Sequence, residues 1–201
     1  MNEKFFDLAR EKQDRMINGA VEIFAKNGYR HASTDDMVKA AGISKGLWFH
    51  YFGSKEGIYV FVYDYCVKYM LLELSTVVDS KERDYFELVR QIVFAKTRVY
   101  KNYPYLNVFL DRAVYETEES VVAKTAESKQ SYDERIESII KSAELGNILE
   151  PAKWEQVQNL LNFAINGIMQ DMMRKRADAQ TMYKEVKAYI ELVRDMAQNL
   201  L

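Results

Sequence analysis

Between residues 33 and 54 the chain is punctuated so closely that few folds can accommodate it. Ser33 followed by Asp36 is a helix-start signal: the hydroxyl can accept from the free amide at the third helical position, and the acid complements the positive helix end. The helix so announced covers 34–41 and meets Gly42. Ser44 is a second cap, opening a helix over 45–52, and Gly53-Ser54 ends it and caps a third. Two short helices joined by a three-residue turn form a helix-turn-helix. Gly42 can take the positive φ that a steep crossing requires, and Ile43 fills the space beneath the turn.

Helical periodicity extends over the rest of the chain. A first helix is predicted over 5–27, where Ile17, Ala20, Val21 and Phe24 share one face and Gly28 stands where a left-handed terminal residue is wanted. A long helix over 55–78 carries Ile58, Phe61, Val62, Tyr65, Cys66, Tyr69 and Leu72 on one stripe, and Asp79-Ser80-Lys81-Glu82 ends it. Further helices are predicted over 84–101, 105–115, 120–144, 151–175 and 181–200. Pro104 and Pro151 sit at or just before a first turn, where proline is tolerated, and Gly146-Asn147 marks a break. Eight glycines and two prolines leave little material for the turns of an all-β protein. The expected fold is all-α: an N-terminal three-helix helix-turn-helix domain over 1–54, joined by a long helix to a helical body over 55–201.

Composition narrows the function. With 48% apolar and 29% charged residues over 201 positions, the chain is of globular type. Its one cysteine excludes an internal disulfide framework and a cysteine-rich zinc site, and suits a reducing cytoplasm. No apolar signal segment opens the chain, and no apolar run approaches the roughly 20 residues that span a bilayer. A soluble, cytoplasmic protein with no membrane partner is therefore expected. Both histidines, His31 and His50, lie in the head, no Glu-x-x-His pair occurs, and Cys66 falls on an apolar stripe. With no Gly-rich phosphate loop either, the expectation is a non-enzyme with no catalytic residue, metal or cofactor. Charge is uneven: residues 1–55 hold nine basic and seven acidic side chains, and the remainder 19 and 23. That permits a basic head on an acidic body.

Within the 45–52 helix, Trp48 and Phe52 are four apart and can face inward together. Leu47, His50 and Tyr51 then project to the other side, with Phe49 at the margin and Lys45 at the leading end. Such a face fits a helix in a major groove. Leu47 could meet thymine methyls, Tyr51 and His50 could donate to phosphates, and Lys45 could reach a guanine edge or a phosphate. Gly46 allows close approach, the amides behind Ser44 form an anion site, and Lys55 adds charge toward the backbone. Ser33 and Thr34 complete the candidate DNA-binding set. The turn alone leaves a second reading open, in which the aromatic run is simply core.

The order of residues favours the first reading. The segments AVEIFAKNGYRHAS, DDMVKAAGIS and KGLWFHYFGSKEGIY, within 17–59, resemble the DNA-binding domain of the TetR family of bacterial regulators. The matching positions are Phe24, Gly28, Tyr29, Ser33, Ala41-Gly42-Ile43-Ser44, Gly46, Phe49, Tyr51, Phe52 and Lys55. Leu47 departs from the threonine common in that helix, and Trp48 from a smaller aliphatic. The resemblance implies a sequence-specific transcription regulator, a repressor released from a palindromic operator by a small-molecule effector. Beyond about residue 60 it implies only an all-α ligand-binding and dimerisation body.

The body carries its own signals. The 151–175 helix has Val157, Leu160, Leu161, Ala164, Ile165, Ile168 and Met172 on one arc and no charge from Gln156 to Met169. A helix without charge on any side is generally enclosed. The last helix has a similarly wide apolar set, so the two are expected to pack against their copies as a four-helix bundle in a homodimer. The candidate interface is Leu160, Leu161, Ala164, Ile168, Tyr189, Ile190, Val193 and Met196. An apolar or aromatic effector could be lined by Tyr100, Tyr103, Phe109, Tyr132, Phe163, Asn166 and Met169, and nearby Asp111, Glu116, Glu118 and Glu119 favour a cationic one. The rival to a regulator is an all-α protein–protein interaction module without DNA binding.

Overall fold

The serine caps set the helix starts where the sequence places them. Ser33 Oγ accepts from the Asp36 amide at 3.3 Å, Ser44 Oγ from Leu47 at 3.3 Å and Ser54 Oγ from Gly57 at 3.0 Å. Each such cap stabilises its helix by about 1 kcal/mol. The computed structural model describes residues 3–144 and 151–199, so Gly146-Asn147 and Leu200 lie outside the described residues. Among the described residues the chain is a 3-10 turn, Glu3–Asp7, and nine α-helices, with no strand. They are α1 (Arg10–His31), α2 (Thr34–Ala41), α3 (Lys45–Phe52), α4 (Lys55–Val77), α5 (Tyr85–Asn102), α6 (Leu106–Ala113), α7 (Glu119–Lys141), α8 (Pro151–Arg174) and α9 (Ala179–Asn199). The all-α expectation holds, and none of these helices is long and apolar enough to cross a membrane.

Two local features differ from the sequence reading. The chain does not begin α1 at Phe5: it makes the separate 3-10 turn first, which tucks Phe5 wholly out of solvent. Gly28 has the expected positive φ (69°) but an extended ψ (177°), so α1 is interrupted there and resumes a turn to His31 rather than ending. Gly42, by contrast, is in the left-handed region (φ 64°, ψ 40°). The amides of Gly42 and Ile43 donate to the carbonyls of Lys39 and Val38, closing α2 with a Schellman-type end.

Packing divides the chain into two units. The first comprises residues up to Leu71 together with Asn102–Asp133. Its interior is built from Ile17, Val21 and Phe24 of α1, Met37 of α2, Trp48 and Phe52 of α3, Ile58, Tyr59 and Val62 of α4, and Phe109 of α6. Phe24 meets Tyr59 edge-on with centroids 4.9 Å apart and stacks on Phe109 at 5.9 Å. Cys66 is fully buried in the same unit, and burial pushes its thiol pKa well up. A hydrogen-bonded chain crosses this unit: Tyr103 donates to Asp14 Oδ1 at 2.6 Å, which leaves Tyr65 to donate to Tyr103 at 2.6 Å.

The second unit comprises Leu72–Lys101 and the residues from Glu134 onward. Tyr85, Phe86, Val89 and Val93 of α5 pack with Leu161, Ile165 and Met169 of α8 and with Met182, Val186, Ile190, Val193 and Ala197 of α9. Trp154 sits against this core, edge-on to Tyr85 at 4.8 Å. Burying each large apolar side chain contributes about 1.5–3 kcal/mol.

Candidate nucleic-acid interface

The α3 helix is held from beneath and left open above. Trp48 is wholly buried and Phe52 nearly so, as their four-residue spacing predicts. Their rings meet edge-on at 5.3 Å, and Phe5 of the 3-10 turn packs on Phe52 at 5.4 Å. At the rear, α4 approaches so closely that a Cβ on Gly57 would collide with the Phe52 carbonyl oxygen. Only glycine fits there, a constraint the sequence reading missed.

On the open side, Ser44, Lys45, Gly46 and His50 are exposed, and Leu47 and Phe49 are half-buried. The first intrahelical bond runs from the Trp48 amide to the Ser44 carbonyl, so the amides of Lys45 and Gly46 precede it at the positive end of the helix. A Cβ on Gly46 would meet nothing within 4 Å, so nothing in the chain itself requires glycine there. Lys45 Nζ lies 2.7 Å from Asp35 Oδ1, an exposed ion pair joining α3 to the first turn of α2. Ser33 and Thr34 are half-buried at the start of α2.

Two candidates are placed differently from expectation. Tyr51 does not project outward with His50. It is only 8% exposed, its ring edge-on to Phe5 at 5.8 Å, because the 3-10 turn brings Phe5 under the side of α3 that helical spacing alone would leave open. Lys55 does not extend its charge freely either. Its Nζ donates to the carbonyls of Arg30 at 3.2 Å and Ala32 at 3.3 Å and lies 4.7 Å from the centre of the Tyr29 ring. The carbonyls at the end of α1 are the negative pole of that helix, and they hold the ammonium.

Residues 16–60 match the family model described as bacterial regulatory proteins, tetR family. That segment, which holds α2 and α3, is similar to the tetR family. The chain is 40% identical over 50 residues to the HTH-type transcriptional regulator UidR of Escherichia coli K12, covering 25% of this chain and 26% of UidR. It is 27% identical over 103 residues to QacR of Staphylococcus aureus, 51% of this chain and 47% of QacR. These matches thus span less than half the length of either relative. Over nearly the whole chain, the fold is similar to that of a TetR family transcriptional regulator from Chloroflexus aurantiacus, with a TM-score of 0.65, 21% identity, and 98% and 96% of the two chains covered.

The candidate effector residues fall in different places. Tyr103 and Phe109 are packed in the first unit, Tyr103 committed to Asp14 and Phe109 stacked on Phe24, so neither has a face free for a ligand. Tyr132 is half-buried on α7. In the second unit, Tyr100 donates to the Ala177 carbonyl at 3.2 Å and Met169 lies in the core. Phe163 is 77% exposed and Asn166 is also exposed, which places them on the outer face of α8 rather than in a lining.

The candidate dimer residues divide as well. Leu161, Ile190 and Val193 are buried in the chain's own core, because α8 and α9 turn those positions toward each other and α5. Leu160, Tyr189 and Met196 are exposed, and Ala164 and Ile168 are half-buried. Leu192 and Phe163, which the sequence reading left out of the interface, are more exposed than Tyr189. Among the described residues no cluster of histidine, cysteine or carboxylate side chains could hold a metal.

Proposed function

We propose that the protein is a homodimeric, sequence-specific transcription regulator that represses by occupying a palindromic operator and leaves it when a small molecule binds. Residues 1–54 would be the DNA-binding head, and 55–201 the effector and dimerisation body. The observation that carries the reading is the presentation of α3: Trp48 and Phe52 fasten one side, while Ser44, Lys45, Gly46 and His50 stand open on the other. A single eight-residue helix reads too few bases for useful specificity, and two related by a dyad read a palindrome. The exposed apolar side chains Leu160, Phe163, Leu192 and Met196 of α8 and α9 supply the surface that a second copy would cover.

Release follows by linkage. An effector that binds better to a dimer whose heads are misplaced for successive grooves lowers DNA affinity by its differential affinity for the two states. The α4 helix, which starts beside α3 and continues into the body, is the natural lever.

Selection of bound sequences from a random duplex pool tests the whole reading. Recovery of a two-fold symmetric site, bound with strong salt dependence, is the expected result. No enriched sequence, together with salt-insensitive binding to protein partners only, would establish the interaction-module alternative instead.

A further inference from the structure

In the first unit, the 3-10 turn, α4 and α7 surround a cleft of about 470 Å³, a volume suited to a small organic ligand. Its floor is apolar and largely aromatic: Phe6 on one wall, and Val60, Phe61 and Tyr65 along α4. Phe6 is 56% exposed, an unusual position for a ring beside so much apolar surface. Four charged side chains line the same space, and their arrangement discriminates among ligands. Glu56 of α4 and Lys124 of α7 form an ion pair, so their charges cancel at one end. Asp64 and Lys68, one turn apart on α4, line the cleft with no ion-pair partner among the described residues. Among the described residues, the hydrogen bond to the Asp64 carboxylate is a neutral one, from the Ser128 hydroxyl. The uncancelled charges are therefore one of each sign beside an aromatic floor.

We infer that this cleft is a binding site for a small aromatic zwitterion, of the chemical class of a free aromatic amino acid. Its ring lies on Phe6, Phe61 and Val60, its ammonium meets Asp64 and its carboxylate meets Lys68. An anion would gain Lys68 but face Asp64, and a cation the reverse. The site also reaches the candidate DNA-reading helix through one residue step. Phe6 is bonded to Phe5, whose ring packs on Tyr51, Phe52 and Phe61 with centroids 5.8, 5.4 and 5.1 Å away. Occupancy therefore bears directly on the support of α3. That consequence rests on the regulator reading, whereas the binding itself does not.

The test uses three indoles with the full-length chain in calorimetric titrations: L-tryptophan, tryptamine, which lacks the carboxylate, and indole-3-propionate, which lacks the ammonium. L-Tryptophan is expected to bind about tenfold more tightly than either, the effect of one charge-assisted hydrogen bond. Asp64→Asn should erase its advantage over indole-3-propionate, and Lys68→Met its advantage over tryptamine. Lys68 is exposed, and Asp64 is half-buried with a hydrogen bond from Ser128 that the asparagine oxygen can still accept, so thermal melting should change little. Val60→Trp, which fills the floor, should remove binding of all three. Equal affinities for the three indoles, or tryptophan affinity unmoved by Asp64→Asn and Lys68→Met, would overturn the assignment. Failure of the free protein to select any operator would sink the regulator reading and leave the indole result standing.

Discussion

The ammonium of Lys55 sits 4.7 Å above the Tyr29 ring while donating to the backbone oxygens of Arg30 and Ala32. One side chain thereby ties the start of α4 to the end of α1. Replacing it with methionine should destabilise the fold by about 1 kcal/mol, read from denaturant unfolding. If this tie is its main role, Lys55→Met weakens operator binding without changing the slope of log affinity against log salt. A slope lower by about one would instead reveal a phosphate contact.

Gly57 and Gly46 make a controlled pair. A methyl group at Gly57 strikes the Phe52 carbonyl, and one at Gly46 meets open space. Gly57→Ala should cost about 2–3 kcal/mol of stability, as overpacking against backbone does. Gly46→Ala should leave melting unchanged and still lower operator affinity, since the added methyl would stand between α3 and the duplex. Unaltered DNA binding by the folded Gly46→Ala protein would remove this face from consideration.

Neighbouring positions on α8 should behave oppositely. Leu161 is wholly buried and Phe163 is 77% exposed. Leu161→Ala should cost about 2–5 kcal/mol through the cavity it leaves. Phe163→Glu should spare the chain's own core yet shift sedimentation from dimer to monomer. A dimer that survives both Phe163→Glu and Leu192→Glu would place the interface elsewhere.

Alkaline stability should fall early. Burial, with help from Asp133, pushes the Tyr63 phenol up to about 12, and burial likewise raises Tyr59 and Tyr103 above the ordinary tyrosine value. An unfolded phenol ionises near about pH 10 while the folded ones stay neutral, so their stabilisation is complete below that pH and is lost as pH rises toward about 12. Urea midpoints should drop across this window. Tyr63→Phe should flatten the drop, and an unchanged profile in that variant would refute its share.

What could be read from the residues follows from the range of the forces involved. Ser33, Ser44, Ser54 and Gly42 act within a few positions of themselves, so the bounds of α2 and α3 are written locally and match the structure. The buried placement of Trp48 and Phe52 follows from their spacing alone. Tyr51 is different: its partner, Phe5, is forty-six positions away, and no local signal announces that the chain makes a 3-10 turn before α1. Gly57 is likewise an ordinary helical glycine until the carbonyl end of α3 arrives beside it. On α8, an uncharged run says that every side is covered but not by whom. Leu161 and Leu160 are chemically identical neighbours, and only the position of α5 and α9 separates the buried one from the exposed one. Aromatic abundance misleads for a similar reason, since Tyr103 and Phe109 already have partners in their own unit.

The chain's two tryptophans fall one to each unit, Trp48 under α3 and Trp154 beside Tyr85. Nature has thus installed a separate optical reporter in each half of the molecule. Trp154→Phe leaves an emission signal that follows only the half bearing α3, and Trp48→Phe one that follows only the other. Whether the halves melt as one body or in sequence can be read from the two traces with no dye attached.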